Sequence, residues 1–243
     1  MAGRQPNTRD RRSASVLGTP SATIIKVALL GDSQVGKTSL MQRFCEGNFD
    51  ETQLHTQGVN FMERIVSLGD QEVTFSLWDI GGHIESEAML PLVCNDAAAL
   101  LLLFDLTRPK TLDAVREWHR KARALNKCAM PFLVGCKYDQ LLEQPVDEHA
   151  HMVKVSRRFA EAISAPLIFC APSVPINVSN VFKVILISLF GLAPAVKQLR
   201  DPGEPCVMYE PPQPQIGDEG SASPSGGAVP RTPRVPRGMF DSV

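Results

Sequence analysis

The sequence lacks the features that mark secreted, membrane-spanning and nucleic-acid-binding proteins. Its six cysteines include no CxxC pair and lie mostly in apolar segments, so we expect reduced core thiols rather than a disulfide framework or a metal site. The longest apolar run, 97–104, is far shorter than the roughly 20 residues of a membrane helix. The formal net charge is −1, which does not favour nucleic acid as a partner. We therefore expect a cytoplasmic protein that binds no nucleic acid.

The two ends of the chain have compositions that cannot build a core. Residues 1–22 are basic and polar, have no signal-peptide pattern, and predict a disordered basic arm. Residues 200–243 are rich in Pro, Gly and Ser and predict a disordered tail, because they hold few large apolar side chains to offset the entropy of ordering. The tail ends without a prenylation cysteine, so we expect no lipid anchor. A single domain is predicted over residues 23–199.

Apolar runs alternate with helical patterns inside this domain. Five runs are continuous, as in buried parallel strands, and a sixth, over residues 61–68, alternates apolar with polar residues like an edge strand. This order predicts an α/β fold with a six-stranded, mostly parallel sheet and helices on both faces. The continuous strands are predicted at 24–30, 72–80, 97–106, 130–135 and 166–170, and a hairpin turn at 68–71. Helices are predicted at 111–125, 146–164 and 177–190, the last with Asn177 as its N-cap.

The residues from Gly31 to Thr38 read GDSQVGKT, which is the pattern G-x-x-x-x-G-K-[ST] of a phosphate-binding loop. A β-rich run precedes it and a helical run follows, which is the context that the motif needs. The glycines let successive N–H groups point at a phosphate, and the helix N-terminus adds positive charge. The Lys37 ammonium can reach the β- and γ-phosphates, and the Thr38 hydroxyl can bind Mg²⁺. The predicted phosphate-binding residues are Gly31, Ser33, Gln34, Val35, Gly36, Lys37, Thr38 and Ser39.

Two further segments can complete a magnesium and γ-phosphate site. Asp79-Ile80-Gly81-Gly82 ends a predicted strand, where Asp79 can hold Mg²⁺ through water and the Gly82 N–H can approach a γ-phosphate. Thr56 lies in a polar stretch before the edge strand, in a loop that can close over a nucleotide. The predicted metal-binding residues are therefore Thr38, Thr56 and Asp79.

Cys136-Lys137-Tyr138-Asp139 follows the strand predicted at 130–135 and can select the base of a nucleotide. The Asp139 carboxylate can accept hydrogen bonds from N1 and N2 of guanine, and adenine lacks that pair of donors. The Lys137 stem can lie along the base plane, and the Phe49 ring can stack on the other edge. These residues predict a guanine nucleotide.

In this order, the motifs resemble those of Ras-like small GTPases over about residues 23–192. Longer segments are similar to the septum-promoting GTPases of the mitotic-exit or septation-initiation network. The segments that carry this closer resemblance are GVNFME at 58–63, MLPLVCND at 89–96, KYD at 137–139, LIFC at 167–170 and INV at 176–178.

The resemblance implies the small G domain of P-loop NTPases, a monomeric switch that binds GTP, GDP and Mg²⁺. Thr56 and residues 79–83 would be ordered by the γ-phosphate and released after hydrolysis. The GTP form would signal to a protein-kinase cascade that controls mitotic exit, septation or cytokinesis. A GTPase-activating complex would control the switch, at the spindle pole body or centrosome. The implied catalytic residues are Lys37, Thr56, Gly82 and His83, and Ala171 and Pro172 would lie beside the base.

Several positions depart from the Ras-like pattern. His83 stands where a glutamine usually orients the attacking water, and only a neutral imidazole can accept a hydrogen bond from that water. We expect GTP hydrolysis at or below the order of 10⁻⁴ s⁻¹, and up to roughly 10⁵-fold faster with an activator. Ser33 replaces a common glycine with a small, tolerated hydroxyl. Ala171-Pro172-Ser173 replaces Ser-Ala-Lys, and its backbone can still reach the guanine oxygen, although Pro172 has no N–H.

Two other interpretations stay open at this point. His83 and Cys136 are compatible with a GTP-bound scaffold whose partner contacts matter more than turnover. An ATP-using phosphotransferase is disfavoured by Asp139 and by the lack of a candidate catalytic acid on a lid. Competition between ATP and GTP for the same site separates this last interpretation from the others.

Cys136 replaces the usual asparagine of the guanine motif, and a thiol is a weaker hydrogen-bonding group than an amide. We therefore expect weaker nucleotide retention than in Ras. The substitution Cys136→Asn is expected to slow GDP release by about two- to tenfold, the value of one neutral hydrogen bond. Release of a fluorescent GDP analogue measures this, with Cys128→Asn as the control outside the motif. Equal release from the parent and Cys136→Asn would contradict the prediction.

Overall fold

The computed structural model describes residues 23–201 and 204–209, so the arm predicted at 1–22 and most of the predicted tail lie outside the described residues. None of the helices in these ranges has the length and apolar character that a bilayer crossing needs. The strands are β1 (Thr23–Leu30), β2 (Val59–Leu68), β3 (Gln71–Ile80), β4 (Ala99–Asp105), β5 (Met130–Cys136), β6 (Leu167–Phe169) and β7 (Val207–Met208). The α-helices are α1 (Lys37–Glu46), α2 (Leu90–Cys94), α3 (Pro109–Leu125), α4 (Tyr138–Leu141), α5 (Val146–Ala162) and α6 (Val178–Phe190), and a 3₁₀-helix (Ile84–Met89) precedes α2.

All of these strands form one sheet in the order β2-β3-β1-β4-β5-β6-β7. The neighbours from β3 to β6 are parallel, and the strands at the two edges, β2 and β7, run antiparallel to their partners. The predicted α/β fold with a mostly parallel sheet is confirmed. The sheet has seven strands instead of the predicted six, because β7 lies in the segment predicted as tail.

Continuous apolar sequence explains why β4 lies at the centre of the sheet. Every residue of β4 is buried, since helices cover both faces of a parallel sheet. Helices α1 and α6 cover one face, where the rings of Phe44 and Phe182 stack with their centroids 3.5 Å apart. Helices α3 and α5 cover the other face and bury Trp118 and Phe159 there.

The antiparallel hairpin of β2 and β3 forms the edge that the alternating pattern predicts. On β2, Ile65 is exposed while Val66 is buried. Leu68 pairs with Gln71 across a two-residue turn, so the hairpin predicted at 68–71 is confirmed. Thr56 lies just before this hairpin, and Asp79 lies near its end.

The parallel strands all end at the same edge of the sheet. The phosphate loop follows β1, and the Asp79 segment, the Asp105 turn and the guanine motif follow β3, β4 and β5. Ligands of open parallel sheets bind at this edge, because the loops after neighbouring strands meet there. The topology therefore brings together motifs that are more than a hundred residues apart in the sequence.

The folded part of the chain extends beyond the boundary predicted at residue 199. Strand β7 pairs with β6, and the Phe169 N–H donates to the Cys206 oxygen at 2.7 Å. Cys206, Val207 and Tyr209 are buried. The predicted start of the tail at residue 200 is therefore wrong for residues 204–209. The composition of residues 200–243 did not reveal this strand, because a short strand pairs through its backbone whatever the residues around it.

Asn177 occupies the N-cap position of α6 but does not cap the helix with its side chain. Its backbone is left-handed, with φ of 55°, and its Nδ2 donates to the oxygens of Phe169 and Pro205 at 2.9 and 3.1 Å. The side chain therefore does not cap the helix as predicted but bonds to two backbone oxygens outside it. The Asn177 amide ties β6 to the segment that leads into β7.

The Tyr209 side chain tests whether this last segment stabilises the domain. Its hydroxyl donates to the Val196 oxygen at 2.7 Å, and its ring is buried. We expect Tyr209→Ala to lower the free energy of unfolding by about 3 kcal/mol, because it leaves a cavity under the edge of the sheet. Tyr209→Phe, which removes only the hydrogen bond, should cost about 1 kcal/mol. Urea unfolding at a fixed nucleotide concentration measures both, and a parent-like value for Tyr209→Ala would show that the segment adds no stability.

Candidate functional site

A cavity of about 360 Å³ opens at the carboxyl edge of the sheet. The phosphate loop forms its floor, and the segment between α1 and β2 forms one wall. Its lining includes ten of the residues predicted from the sequence: Ser33, Gln34, Gly36, Lys37, Thr38, Ser39, Phe49, Thr56, Gly82 and Lys137. The other lining residues, not predicted as site residues, are Asp50, Glu51, Gln53, Leu54 and His55.

The phosphate loop curls around the ammonium group of its own lysine. Lys37 is 5% exposed, and its Nζ donates to the oxygens of Gly31 and Asp32 at 2.9 and 2.8 Å. Burial lowers the pKa of Lys37, and the nearby carboxylates of Asp79 and Asp32 oppose that shift. Gly36 precedes α1 with φ of 104°, a conformation that favours glycine. The loop thus presents a positive group and a helix N-terminus to the cavity.

The three predicted metal-binding residues meet at the cavity, which Thr38 and Thr56 line. The Thr38 hydroxyl donates to Asp79 Oδ2 at 2.5 Å and lies 2.8 Å from the Thr56 hydroxyl, which is 3.4 Å from the same oxygen. Asp79 is fully buried, and its Oδ1 has no hydrogen-bond partner among the described residues. Burial raises the pKa of Asp79, although Lys37 and the two hydroxyls oppose this. These hard oxygen donors, with one buried carboxylate oxygen unpartnered, fit Mg²⁺.

Two glycines let the segment after β3 lie directly against its neighbours. A Cβ on Gly82 would lie 2.1 Å from the Ser33 nitrogen, and a Cβ on Gly81 would lie 2.5 Å from the Thr56 oxygen. Side chains at these positions would force the segment away from the phosphate loop. The Gly81 N–H donates to the Gly58 oxygen at 2.9 Å, which joins the two segments flanking the cavity.

Two histidines face the Ser33 hydroxyl at the mouth of the cavity. His83 Nε2 lies 3.4 Å from Ser33 Oγ, and His55 Nδ1 lies 3.2 Å from it. The two ring centroids are 5.6 Å apart, and His55 Nε2 lies 3.3 Å from Gln34 Nε2. Sequence reasoning missed His55. Its position next to Thr56, in a stretch predicted to close over a nucleotide, was the available signal.

One oxygen of the Asp139 carboxylate accepts a hydrogen bond from the protein, and the other is unengaged, with no such bond from the described residues. Ser173 Oγ donates to Oδ2 at 2.6 Å, and the buried Oδ1 has no partner among the described residues. Sequence reasoning gave Ser173 no role. The backbone N–H of Ala171 donates to the Ile176 oxygen at 3.1 Å, and Pro172 has none, as the sequence already indicated.

The end of β4 supplies a carboxylate that connects the base side to the phosphate side. Asp105 is buried and accepts hydrogen bonds from Lys137 Nζ at 2.7 Å and Arg108 Nε at 2.8 Å. Arg108 Nη2 also donates to the Ser33 oxygen at 3.0 Å. Burial alone would raise the pKa of Asp105, but hydrogen bonds from Lys137, Thr107 and Arg108 outweigh it and hold the pKa below its ordinary value. Both Asp105 and Arg108 were missed, although a carboxylate that ends an apolar strand at this edge is a recognisable signal.

Cys136 lies directly beneath the phosphate loop. It is fully buried, and its Sγ is 3.8 Å from that of Cys170. A Cβ on Gly36 would lie 3.3 Å from the Cys136 Cβ, so the end of β5 packs against the loop. All six cysteines are free thiols.

Comparison with known proteins agrees with this arrangement. Residues 26–190 match the sequence profile of the Ras family. The chain is 46% identical over 185 residues, 76% of its length and 93% of the relative's, to Septum-promoting GTP-binding protein 1 of Schizosaccharomyces pombe. It is 28% identical over 159 residues, 65% of its length and 79% of the relative's, to Ras-related protein Rab-22A of Mus musculus.

The position of Asp79 predicts that nucleotide retention depends on this carboxylate through Mg²⁺. In the parent, EDTA should accelerate GDP release. In Asp79→Asn, release should be about ten- to a hundredfold faster, as for the loss of a residue that orients metal ligands, and EDTA should change it little further. Release of a fluorescent GDP analogue measures both effects, with Asp70→Asn on the exposed hairpin turn as the matched control. An unchanged EDTA response in Asp79→Asn would argue against a role for this carboxylate in metal binding.

Proposed function

The chain belongs to the Ras family of small GTPases, enzymes that hydrolyse GTP to GDP and phosphate, and we propose that it is a GTP-operated switch in septation. The main observation that supports the switch is that Lys37, Thr38, Thr56 and Asp79 come together at one cavity. Gly82 lies against the phosphate loop at the same cavity. The septation role is supported by the name of the Schizosaccharomyces pombe relative and the extent of its identity to this chain.

The geometry of the cavity supports a role for each residue in nucleotide binding. Lys37 would bind the β- and γ-phosphates in place of the loop carbonyls that it now contacts. Thr38, Thr56 and Asp79 would hold Mg²⁺, which neutralises phosphate charge when bound. The unengaged Oδ1 of Asp139 would accept a hydrogen bond from guanine.

Two segments on either side of the cavity can report which nucleotide is bound. Thr56 contacts Thr38, and Gly82 lies against Ser33, so both segments touch the phosphate loop where a γ-phosphate would lie. A γ-phosphate would therefore favour their present positions, and its loss would release them. We propose that a protein-kinase effector reads these segments in the GTP form. A GTPase-activating complex would bind the same side, because it must reach His83.

His83 is the residue that we expect to limit the rate of hydrolysis. Its side chain is exposed, and the contact at 3.4 Å with Ser33 Oγ is long for a hydrogen bond. Such a ring is not held in one orientation toward an attacking water, so intrinsic hydrolysis should be slow, at or below the order of 10⁻⁴ s⁻¹. An activator would raise the rate by fixing the imidazole or by supplying an arginine.

The same observation favours a second candidate function. If no partner orients His83, the chain would remain bound to GTP and act as a scaffold whose contacts matter more than turnover. The buried Cys136, which contacts Cys170 through its thiol, also differs from the usual guanine motif and is compatible with this candidate. For either function we propose recruitment to the spindle pole body or centrosome through a partner.

Single-turnover hydrolysis of preloaded GTP tests the two candidates. We expect slow hydrolysis by the parent and a severalfold faster, Ras-like rate for His83→Gln, because the amide can both donate to and accept from water. His151→Gln, an exposed histidine on α5, is the matched control and should match the parent.

Rapid hydrolysis by the parent alone would contradict the assignment of His83 as the limiting residue. Equal, slow rates for the parent and His83→Gln would favour the scaffold. A parent that retains ATP as well as GTP would contradict both candidates.

A further inference from the structure

A single guanidinium joins α1 to the loop beside the base-selecting aspartate. Arg43 on α1 donates from Nε to the Pro172 oxygen at 2.6 Å, from Nη2 to the Ser173 oxygen at 2.9 Å and from Nη1 to the Gly47 oxygen at 2.8 Å. All three of its nitrogens therefore bind backbone oxygens, two of them in the same loop. The guanidinium carbon also lies 5.9 Å from the centre of the Phe49 ring, which lines the cavity.

The loop that Arg43 holds supplies the hydrogen bond to Asp139. Ser173 uses its backbone oxygen to accept from Arg43 and its hydroxyl to donate to Asp139 Oδ2 at 2.6 Å. Because Arg43 holds the Ser173 backbone, the Ser173 hydroxyl is held within hydrogen-bonding distance of Asp139. The carboxylate is then held with Oδ2 engaged and the buried Oδ1 unengaged.

We propose that Arg43 is a positioning residue for guanine recognition, acting through Ser173 to orient the Asp139 carboxylate. This inference rests on the proposed function, since it concerns how the same site selects its base. Arg43 does not itself contact the base in this proposal. It links the base-selecting carboxylate to the helix that follows the phosphate loop.

Two groups expected near the base are used differently among the described residues. The usual asparagine of the motif is replaced by Cys136, whose Sγ lies 3.8 Å from that of Cys170. The Ala171 N–H is used by the Ile176 oxygen. Ser173 is thus the described residue that hydrogen-bonds to Asp139, and Arg43 provides the side-chain contacts that hold Ser173 in place.

The contacts need the shape of arginine and not only its charge. The planar fork of a guanidinium presents several donors in fixed directions, so it can bind three carbonyl oxygens in two separate segments at once. A lysine ammonium is a single point at the end of a flexible stem. Arg43→Lys keeps the charge and removes the fork, which makes it the most informative substitution.

The experiment compares release of GDP with release of IDP, whose base lacks the N2 amino group. Asp139 discriminates between them through the hydrogen bond to that amino group, so the parent should release IDP faster than GDP. In Arg43→Lys, GDP release should accelerate by about five- to tenfold, while IDP release changes less, so the IDP-to-GDP ratio falls. A general loosening of the domain would accelerate both and leave the ratio unchanged.

Two further variants separate this role from a purely structural one. Ser173→Ala should lower the ratio to a similar extent, and adding Arg43→Lys to it should lower the ratio no further, because both act through one path. Arg64→Lys is the matched control. Arg64 also donates to a backbone oxygen, that of Phe44 on α1, and its guanidinium lies over the Phe44 ring and not at this loop. The IDP-to-GDP ratio of this variant should therefore equal the parent's.

The outcomes distinguish this inference from the proposed function. An unchanged ratio in Arg43→Lys and Ser173→Ala, or additive effects in the double variant, would overturn the role of Arg43 while leaving the GTPase assignment intact. A parent that retains neither GDP nor GTP would instead contradict the proposed function.

Discussion

The burial of one carboxylate constrains the whole nucleotide edge of this protein. Asp79 is fully enclosed at the end of β3, and an isolated carboxylate in that position would be costly. Its neighbours are the hydroxyls of Thr38 and Thr56 and the charge of Lys37, which come from two other segments. Separating them would leave a buried charge less compensated, so the carboxylate favours their present arrangement. The residues predicted to bind the metal therefore also stabilise one another.

Close backbone approach is the second constraint, and it depends on residues that have no side chain. Gly82 lies so near the Ser33 nitrogen that a Cβ could not fit, and a Cβ on Gly81 would lie too close to the Thr56 oxygen. Gly82 therefore brings the segment after β3 into backbone contact with the phosphate loop, and Gly81 brings it into contact with the segment that holds Thr56. A phosphate bound in the loop would lie close to the backbone of Gly82. This arrangement suits a switch, since both segments contact the phosphate loop or the start of α1 that follows it.

The base side of the cavity is built differently from the phosphate side. Its key groups are side chains that bridge separate elements: Arg43 joins α1 to the loop after β6, Ser173 joins that loop to Asp139, and Lys137 joins the guanine motif to Asp105. Each bridge is a hydrogen bond in which the donor or the acceptor is charged, and such a bond is stronger than a neutral one. Together they hold a guanine motif that lacks its usual asparagine. The chain thus holds this motif in place through residues that lie outside it.

The sequence by itself determined the fold class, the phosphate loop, the Asp79 segment and the placement of Thr56, because these depend on local patterns: apolar periodicity, glycine spacing and residues that follow strands. Only the tertiary structure decided which side chains bridge distant segments. Arg43 and Ser173 are 130 residues apart, and Ser33 and Arg108 are 75 apart, so no local pattern relates them. The same reason explains why β7 and the true role of Asn177 were missed. A short strand and a bridging amide are defined by the partners that folding brings to them, and not by their neighbours in the chain.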